Sequence, residues 1–85
     1  MNIKKNIAIS ETGFVFDPST GDSFSLNPIG LEIIKLIKEK CVEKKIIETI
    51  CKQYDIEEHA FEKDLYDFFG MLSKLKLIEN DEKKN

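Results

Sequence analysis

The sequence predicts a single α+β domain in which three short strands precede three helices. Two observations carry this. Residues 7–26 alternate apolar and polar positions between turn-forming clusters, whereas residues 28–76 repeat their apolar residues at helical spacing. Strands grouped ahead of helices indicate an α+β layout rather than a βαβ one. The length, 85 residues, agrees with one domain, expected over residues 1–78, with a polar tail at 79–85.

The first expected strand holds Ile7 and Ile9 on one side, with Ala8 and Ser10 on the other. Glu11-Thr12-Gly13 is a turn signal, and Phe14-Val15-Phe16-Asp17 forms a second strand rich in β-formers. Asp17-Pro18-Ser19-Thr20-Gly21-Asp22 then reads as a hairpin connection. Pro18 suits the second position of a type I turn, and Gly21 suits a following left-handed residue. The third strand, Ser23-Phe24-Ser25-Leu26, turns Phe24 and Leu26 towards the core.

Asn27-Pro28 marks the change to helix: Asn accepts hydrogen bonds from the first turn, and Pro loses nothing where its N–H would be unpaired. The first helix is expected over about Pro28–Lys40, with Ile29, Ile33, Ile34 and Ile37 inward and Gly30 weakening it slightly. The second runs from about Val42 to Tyr54 on Ile46, Ile47, Ile50 and Tyr54. The third runs from about Glu58 to Lys76, with a wide apolar face of Phe61, Leu65, Phe68, Phe69, Leu72 and Leu75. Its acidic start and its Lys74 and Lys76 at the end complement the helix dipole. Leu77 and Ile78 finish the core, while Tyr66 and Met71 lie off the stripe and are candidates for a second contact such as a dimer.

Composition narrows function. The chain carries 13 basic residues, all Lys, against 16 Asp and Glu, a net charge of −3. A nucleic-acid binder is expected to show a basic patch, and with no Arg the bidentate clamp on phosphate or carboxylate is missing. His59 has no neighbouring Cys or second His, and the spacing of Cys41 and Cys51 fits no zinc or redox motif. No nucleophile–base pair or paired acid/base site stands out, so neither an enzyme, a cofactor nor a metal site is expected. The apolar runs fall short of the roughly 18–20 residues that cross a bilayer, and no signal peptide or internal repeat is evident. The two Cys therefore read as reduced thiols in a cytoplasmic protein.

From Ser25-Leu26-Asn27-Pro28-Ile29-Gly30-Leu31-Glu32-Ile33-Ile34 onward, the sequence resembles the PqqD-like family, the small peptide-binding chaperones also called RiPP recognition elements. Phe61-Glu62-Lys63-Asp64-Leu65-Tyr66-Asp67-Phe68-Phe69-Gly70-Met71-Leu72 resembles the family's third helix, and Leu75-Lys76-Leu77-Ile78 its closing segment, so that the likeness covers roughly residues 7 to 78. Three departures mark a divergent branch, whose peptide need not be a pyrroloquinoline-quinone precursor. Ile34 stands near a common aromatic, Glu39-Lys40-Cys41 replaces an Asp-Gly turn, and Lys76 replaces a Gly.

The resemblance implies a winged helix-turn-helix-like fold, with a three-stranded antiparallel sheet packed on three helices. It also implies that a leader peptide adds as a strand beside the third strand, in a groove shared with the third helix. Mapped onto this chain, the peptide-binding residues are Asp22, Ser23, Phe24, Ser25 and Leu26 on the strand. Leu65, Phe68, Phe69 and Leu72 come from the third helix, with Leu31 and Lys35 closing the end. The implied partners are a precursor peptide and a peptide-modifying enzyme.

The strand is suited to this: it lacks the Lys or Pro that usually guards an edge. About four ladder bonds at ~1 kcal/mol each and two or three apolar anchors at ~2 kcal/mol each stand against at least ~4 kcal/mol of association cost. Micromolar or weaker affinity follows, with the strand fixing orientation and the groove deciding strength. Two alternatives remain at this point. One is a homodimeric interaction module of a kinase-related or nucleotidyltransferase system, since open edges also self-associate. The other is a winged-helix DNA binder, which residues 57–76 disfavour because five acidic residues against three Lys leave a local charge of −2.

Overall fold

The computed structural model describes residues 1–79. Its architecture is α+β: a three-stranded antiparallel sheet and three helices, with a two-stranded ribbon that the sequence reading did not anticipate. In chain order the elements are β1 (Asn2–Ile3), β2 (Ala8–Ile9), β3 (Phe14–Asp17), β4 (Asp22–Ser25), α1 (Pro28–Lys38), α2 (Glu43–Tyr54), α3 (Glu58–Lys74) and β5 (Ile78–Glu79). The sheet order is β2-β3-β4, and β1 pairs with β5. The expected tail at 79–85 therefore starts inside the ribbon, since Glu79 pairs with Asn2; residues 80–85 lie outside the described residues.

The hairpin forms as its turn residues require. Gly21 takes φ +81°, and its N–H donates to the Asp17 carbonyl at 2.8 Å. The buried Asp17 carboxylate accepts from the Ser19 N–H at 2.9 Å, so its charge has a local partner. Gly13 takes φ +94°, with the Leu26 carbonyl oxygen only 2.7 Å from where a Cβ would stand. A side chain there would meet both backbone strain and a collision.

Two of the helix starts carry a side-chain cap, at α1 and α3, whereas α2 begins after Val42 without one. Asn27 accepts from the Gly30 N–H at 2.7 Å, with Pro28 leading α1. Gly30 does more than weaken the helix: a Cβ there would lie 3.3 Å from the Phe68 ring, so its absence lets α3 close against α1. At α3, Glu57 accepts from the N–H groups of His59 and Ala60. Those bonds hold its carboxyl below the ordinary range. The stability from this cap is present above the ordinary carboxylate pKa and fades as pH falls through the lowered one.

α1 and α3 end two residues earlier than the periodicity suggests, at Lys38 and Lys74, whereas α2 ends at Tyr54 as expected. Lys40, Asp55 and Lys76 adopt left-handed φ of 67°, 56° and 60°, and each follows a helix. There the chain reverses and the last carbonyls are closed: the Lys40 N–H donates to Ile37 O and the Lys76 N–H to Ser73 O. Lys40 lies in the Glu39-Lys40-Cys41 segment that replaces the expected Asp-Gly turn, and Lys76 stands where a Gly was expected, so both left-handed positions here carry Lys.

The core joins Ile7 and Val15 of the sheet region to Ile33, Ile34 and Ile37 of α1, Ile46, Ile50 and Cys51 of α2, and Phe61, Leu65, Leu72 and Leu77. Ile50, Leu65 and Leu72 are fully buried. Burial pushes the Cys51 thiol up, with Glu58 and Glu57 adding to the shift, which keeps it a thiol rather than a reactive thiolate at neutral pH. Across the α2–α3 seam, the Tyr66 hydroxyl donates to Glu43 and at 3.5 Å to Glu62. The bond to Glu43, aided by desolvation and the two carboxylate charges, pushes the phenol up to about 12.

Two left-handed positions should respond with opposite sign. Gly13→Ala is expected to destabilise by about 1–3 kcal/mol, whereas Lys76→Gly is expected to stabilise by about 0.5–1 kcal/mol, both read from urea unfolding midpoints. In an absorbance titration, the Tyr66 phenol should ionise near 12, and Glu43→Gln should draw it back towards the ordinary 10. An unmoved midpoint would show that the Tyr66–Glu43 bond does not form in solution.

Candidate peptide-binding edge

The site begins with register. The Leu26 N–H donates to the Gly13 carbonyl at 2.7 Å, and β4 pairs with β3 as Phe14↔Ser25, Val15↔Phe24, Phe16↔Ser23 and Asp17↔Asp22. In an antiparallel pair, residues alternate between exchanging hydrogen bonds with the partner and turning their polar groups away. Since Leu26 bonds inward, Phe24 and Asp22 do as well. The N–H and C=O of Ser23 and Ser25 then point away from β3, towards the outer edge of β4. Among the described residues no strand pairs with that edge.

Side chains alternate in the other direction. Ser23 and Ser25 are exposed on the outer face, while Phe24 and Leu26 are half-buried on the inner one. Below Phe24 and Leu26 opens an apolar cavity of about 250 Å3. Met71, Leu72 and Leu75 of α3 line it, with Ile34 of α1 and Ile3, Ile7, Ile9, Val15 and Leu77. A second depression lies further along α3, where Phe68, Asp64 and Phe61 face Asn27, Ile29, Gly30 and Ile33 of α1 and Ile56. Leu26 lines the first and Asn27 the second, so the two depressions neighbour each other where β4 passes into α1.

The expected residues divide by place. Phe24, Ser25, Leu26 and Leu72 come together at the cavity, with Ser23 beside them on the edge. Asp22 sits at the turn end of β4, its N–H donating to the Thr20 hydroxyl at 3.1 Å. Leu65 is fully buried in the core and offers no surface. Phe68 lines the second depression. Phe69 points to the other flank of α3, packing in a hollow with Ile37, Cys41, Val42 and Ile46, its ring centroid 6.5 Å from that of Tyr66. Leu31 is half-buried and Lys35 exposed on α1, and neither lines the cavity; Ile34 is the α1 residue that does.

Met71 and Leu75 are the groove residues that the apolar stripe hid. The stripe is centred on Leu65 and Leu72, so its middle goes to the core and only its flanks remain accessible. Met71 is one residue before Leu72 and thus about 100° round the helix, on the flank that meets β4; it is 40% exposed. A Met off the stripe was the available signal, and an unbranched thioether suits an adaptable binding wall.

Electrostatics separate the two flanks. The cavity is almost wholly apolar, whereas the α2–α3 flank gathers Glu43, Glu48, Glu57, Glu58 and Glu62 around His59 and Lys44. No group of three or more potential metal ligands assembles among the described residues. No described helix is long and apolar enough to cross a membrane.

A solved structure, TbiB1 in complex with the TbiA(beta) leader peptide, matches with a TM-score of 0.84 and 27% sequence identity, over 98% of this chain and 100% of that one. No curated protein matches the chain. The family model described as coenzyme PQQ synthesis protein D (PqqD) matches residues 13–78, which include β3, β4 and all three helices. The chain belongs to the PqqD family.

Proposed function

We propose that this protein is a non-catalytic peptide-binding chaperone. It captures the leader of a precursor peptide by strand addition to β4 and presents the precursor to a separate modifying enzyme. The observation that carries this reading is the juxtaposition of an unpaired strand edge with an apolar cavity. The edge offers the N–H and C=O groups of Ser23 and Ser25, and the cavity accepts the alternate side chains of an added strand. The related TbiB1, which is bound to a leader peptide, supports it.

Ladder bonds to Ser23 and Ser25 set the direction and register of the peptide. Apolar residues opposite Phe24 and Leu26 then enter the cavity between β4 and α3. An apolar side chain buried there contributes about 1.5–3 kcal/mol, more than any one ladder bond at about 1 kcal/mol. Met71 and Leu75 therefore govern affinity, and the serine backbone governs geometry. The acidic α2–α3 flank opposes DNA phosphates and leaves the layout better suited to a peptide than to a duplex. The free thiols of Cys41 and Cys51 agree with a cytoplasmic setting.

The test is titration with the leader segment of a precursor peptide encoded beside the gene. Ser25→Pro removes an N–H that no β3–β4 bond uses, at an edge position where Pro is tolerated. Losing one ladder bond of about 1 kcal/mol, it should weaken binding about fivefold while leaving the unfolding midpoint nearly unchanged. Met71→Asp should weaken binding by a similar factor, because it places a charge at the mouth of an apolar cavity. Normal titration by the Ser25→Pro variant would sink strand addition.

A further inference from the structure

The outer face of the sheet carries two uncovered aromatic rings. Phe14 is 50% and Phe16 40% exposed, although both sit on the central strand, where side chains usually find cover. Their neighbours explain the exposure. Phe14 stands opposite Ser25, and Phe16 stands between Ser23 and Ala8. Neither serine nor alanine is large enough to shield a phenyl ring.

This bare patch is continuous with the edge that receives the peptide. Residues directly opposite one another on neighbouring strands share a face. A strand added at β4 therefore places the residues opposite Ser23 and Ser25 on the outer face, in line with Phe16 and Phe14. Its alternate residues enter the cavity. Strands lie about 4.8 Å apart, so each outward side chain starts roughly 10 Å from the strand bearing the rings, with only a serine side chain in between. A short residue cannot bridge that gap. A Phe, Tyr or Trp can lean over the serine and meet the ring edge-on or offset.

We propose that the outward-facing side chains of the bound peptide cover Phe14 and Phe16. The chain thereby selects peptides that carry aromatic residues at two successive outward positions, besides the apolar residues that enter the cavity. The inference rests on strand addition at β4 and deepens it. It adds a second layer of specificity, read on the face of the sheet opposite the cavity.

The experiment pans a phage-displayed library of random 16-residue peptides on the full chain, on its Phe14→Thr/Phe16→Thr variant, and on Ser25→Pro. Thr keeps the β-propensity at these exposed positions. Wild type should enrich peptides with apolar residues at one parity and aromatic residues at two adjacent positions of the other. The double variant should keep the first preference and lose the second. In titrations of one selected peptide, replacing an outward aromatic by Ala should weaken binding to wild type about threefold to tenfold, and binding to the double variant by less than twofold, the signature of direct coupling. Equal losses on both proteins, an unchanged aromatic preference on the double variant, or enrichment of Lys and Arg at the outward positions would overturn the inference alone. So would a concentration-dependent dimer that disappears in the double variant, since a second copy would then cover the rings. Failure of wild type to enrich any alternating peptide, or retention of the same peptides by Ser25→Pro, would instead overturn strand addition itself.

Discussion

The bond from the Leu26 N–H to the Gly13 carbonyl, 2.7 Å long, sets the register of β4 against β3, and the rest of the site follows from it. It requires Gly13 at φ +94°, where a Cβ would strike the Leu26 carbonyl, so the closure depends on a residue without a side chain. With that register, Phe24 and Leu26 face the cavity, and the polar groups of Ser23 and Ser25 face outward. A slip of one residue would exchange the two sets, putting serines over the apolar cavity and phenylalanine into water. A four-residue strand has few other pairings to hold it, which is why a single hinge contact matters so much here.

The second constraint is the division of α3. A helix that supplies the centre of the core cannot offer that same face to a ligand. Leu65 and Leu72 take the buried line, and the two flanks are left for different tasks. One flank, with Met71 and Leu75, meets β4 and is apolar. The other, with Tyr66 and Phe69, meets α2 and is bordered by carboxylates. The seam between α2 and α3 is tied by the bond from Tyr66 to Glu43, and Gly30 lets Phe68 approach α1. The groove thus has a fixed wall, and its position follows from packing on the far side of the helix.

A chain of this size consumes most of its apolar residues in one core, so few are left to build a binding surface. What it has left is backbone on an open edge, a cavity below it and two bare rings above it. These are the elements on which the proposed reading of an extended peptide rests. The same economy explains the tolerance of Lys at the left-handed positions 40 and 76. Each costs strain that Gly would avoid, but each lies in an exposed helix–loop joint with its own side chain in solvent.

The sequence by itself determined the order of the three sheet strands and three helices, the hairpin turn, the Asn27-Pro28 helix start and the α+β class, because these rest on local rules: alternation, capping and left-handed glycine. It also showed the unguarded edge at Ser23-Phe24-Ser25-Leu26. Only the tertiary structure decided which residues of α3 line the groove. Periodicity identifies an apolar face, but not which part of that face another element covers, so Leu65 and Phe69 read as groove residues and Met71 did not. The β1–β5 ribbon was equally illegible, since two-residue strands at opposite ends of the chain have no local signature and form only when folding brings Ile3 beside Ile78. The exposure of Phe14 and Phe16 was hidden for the same reason: an aromatic in a strand reads as core until its neighbours across the ladder prove to be Ser25, Ser23 and Ala8.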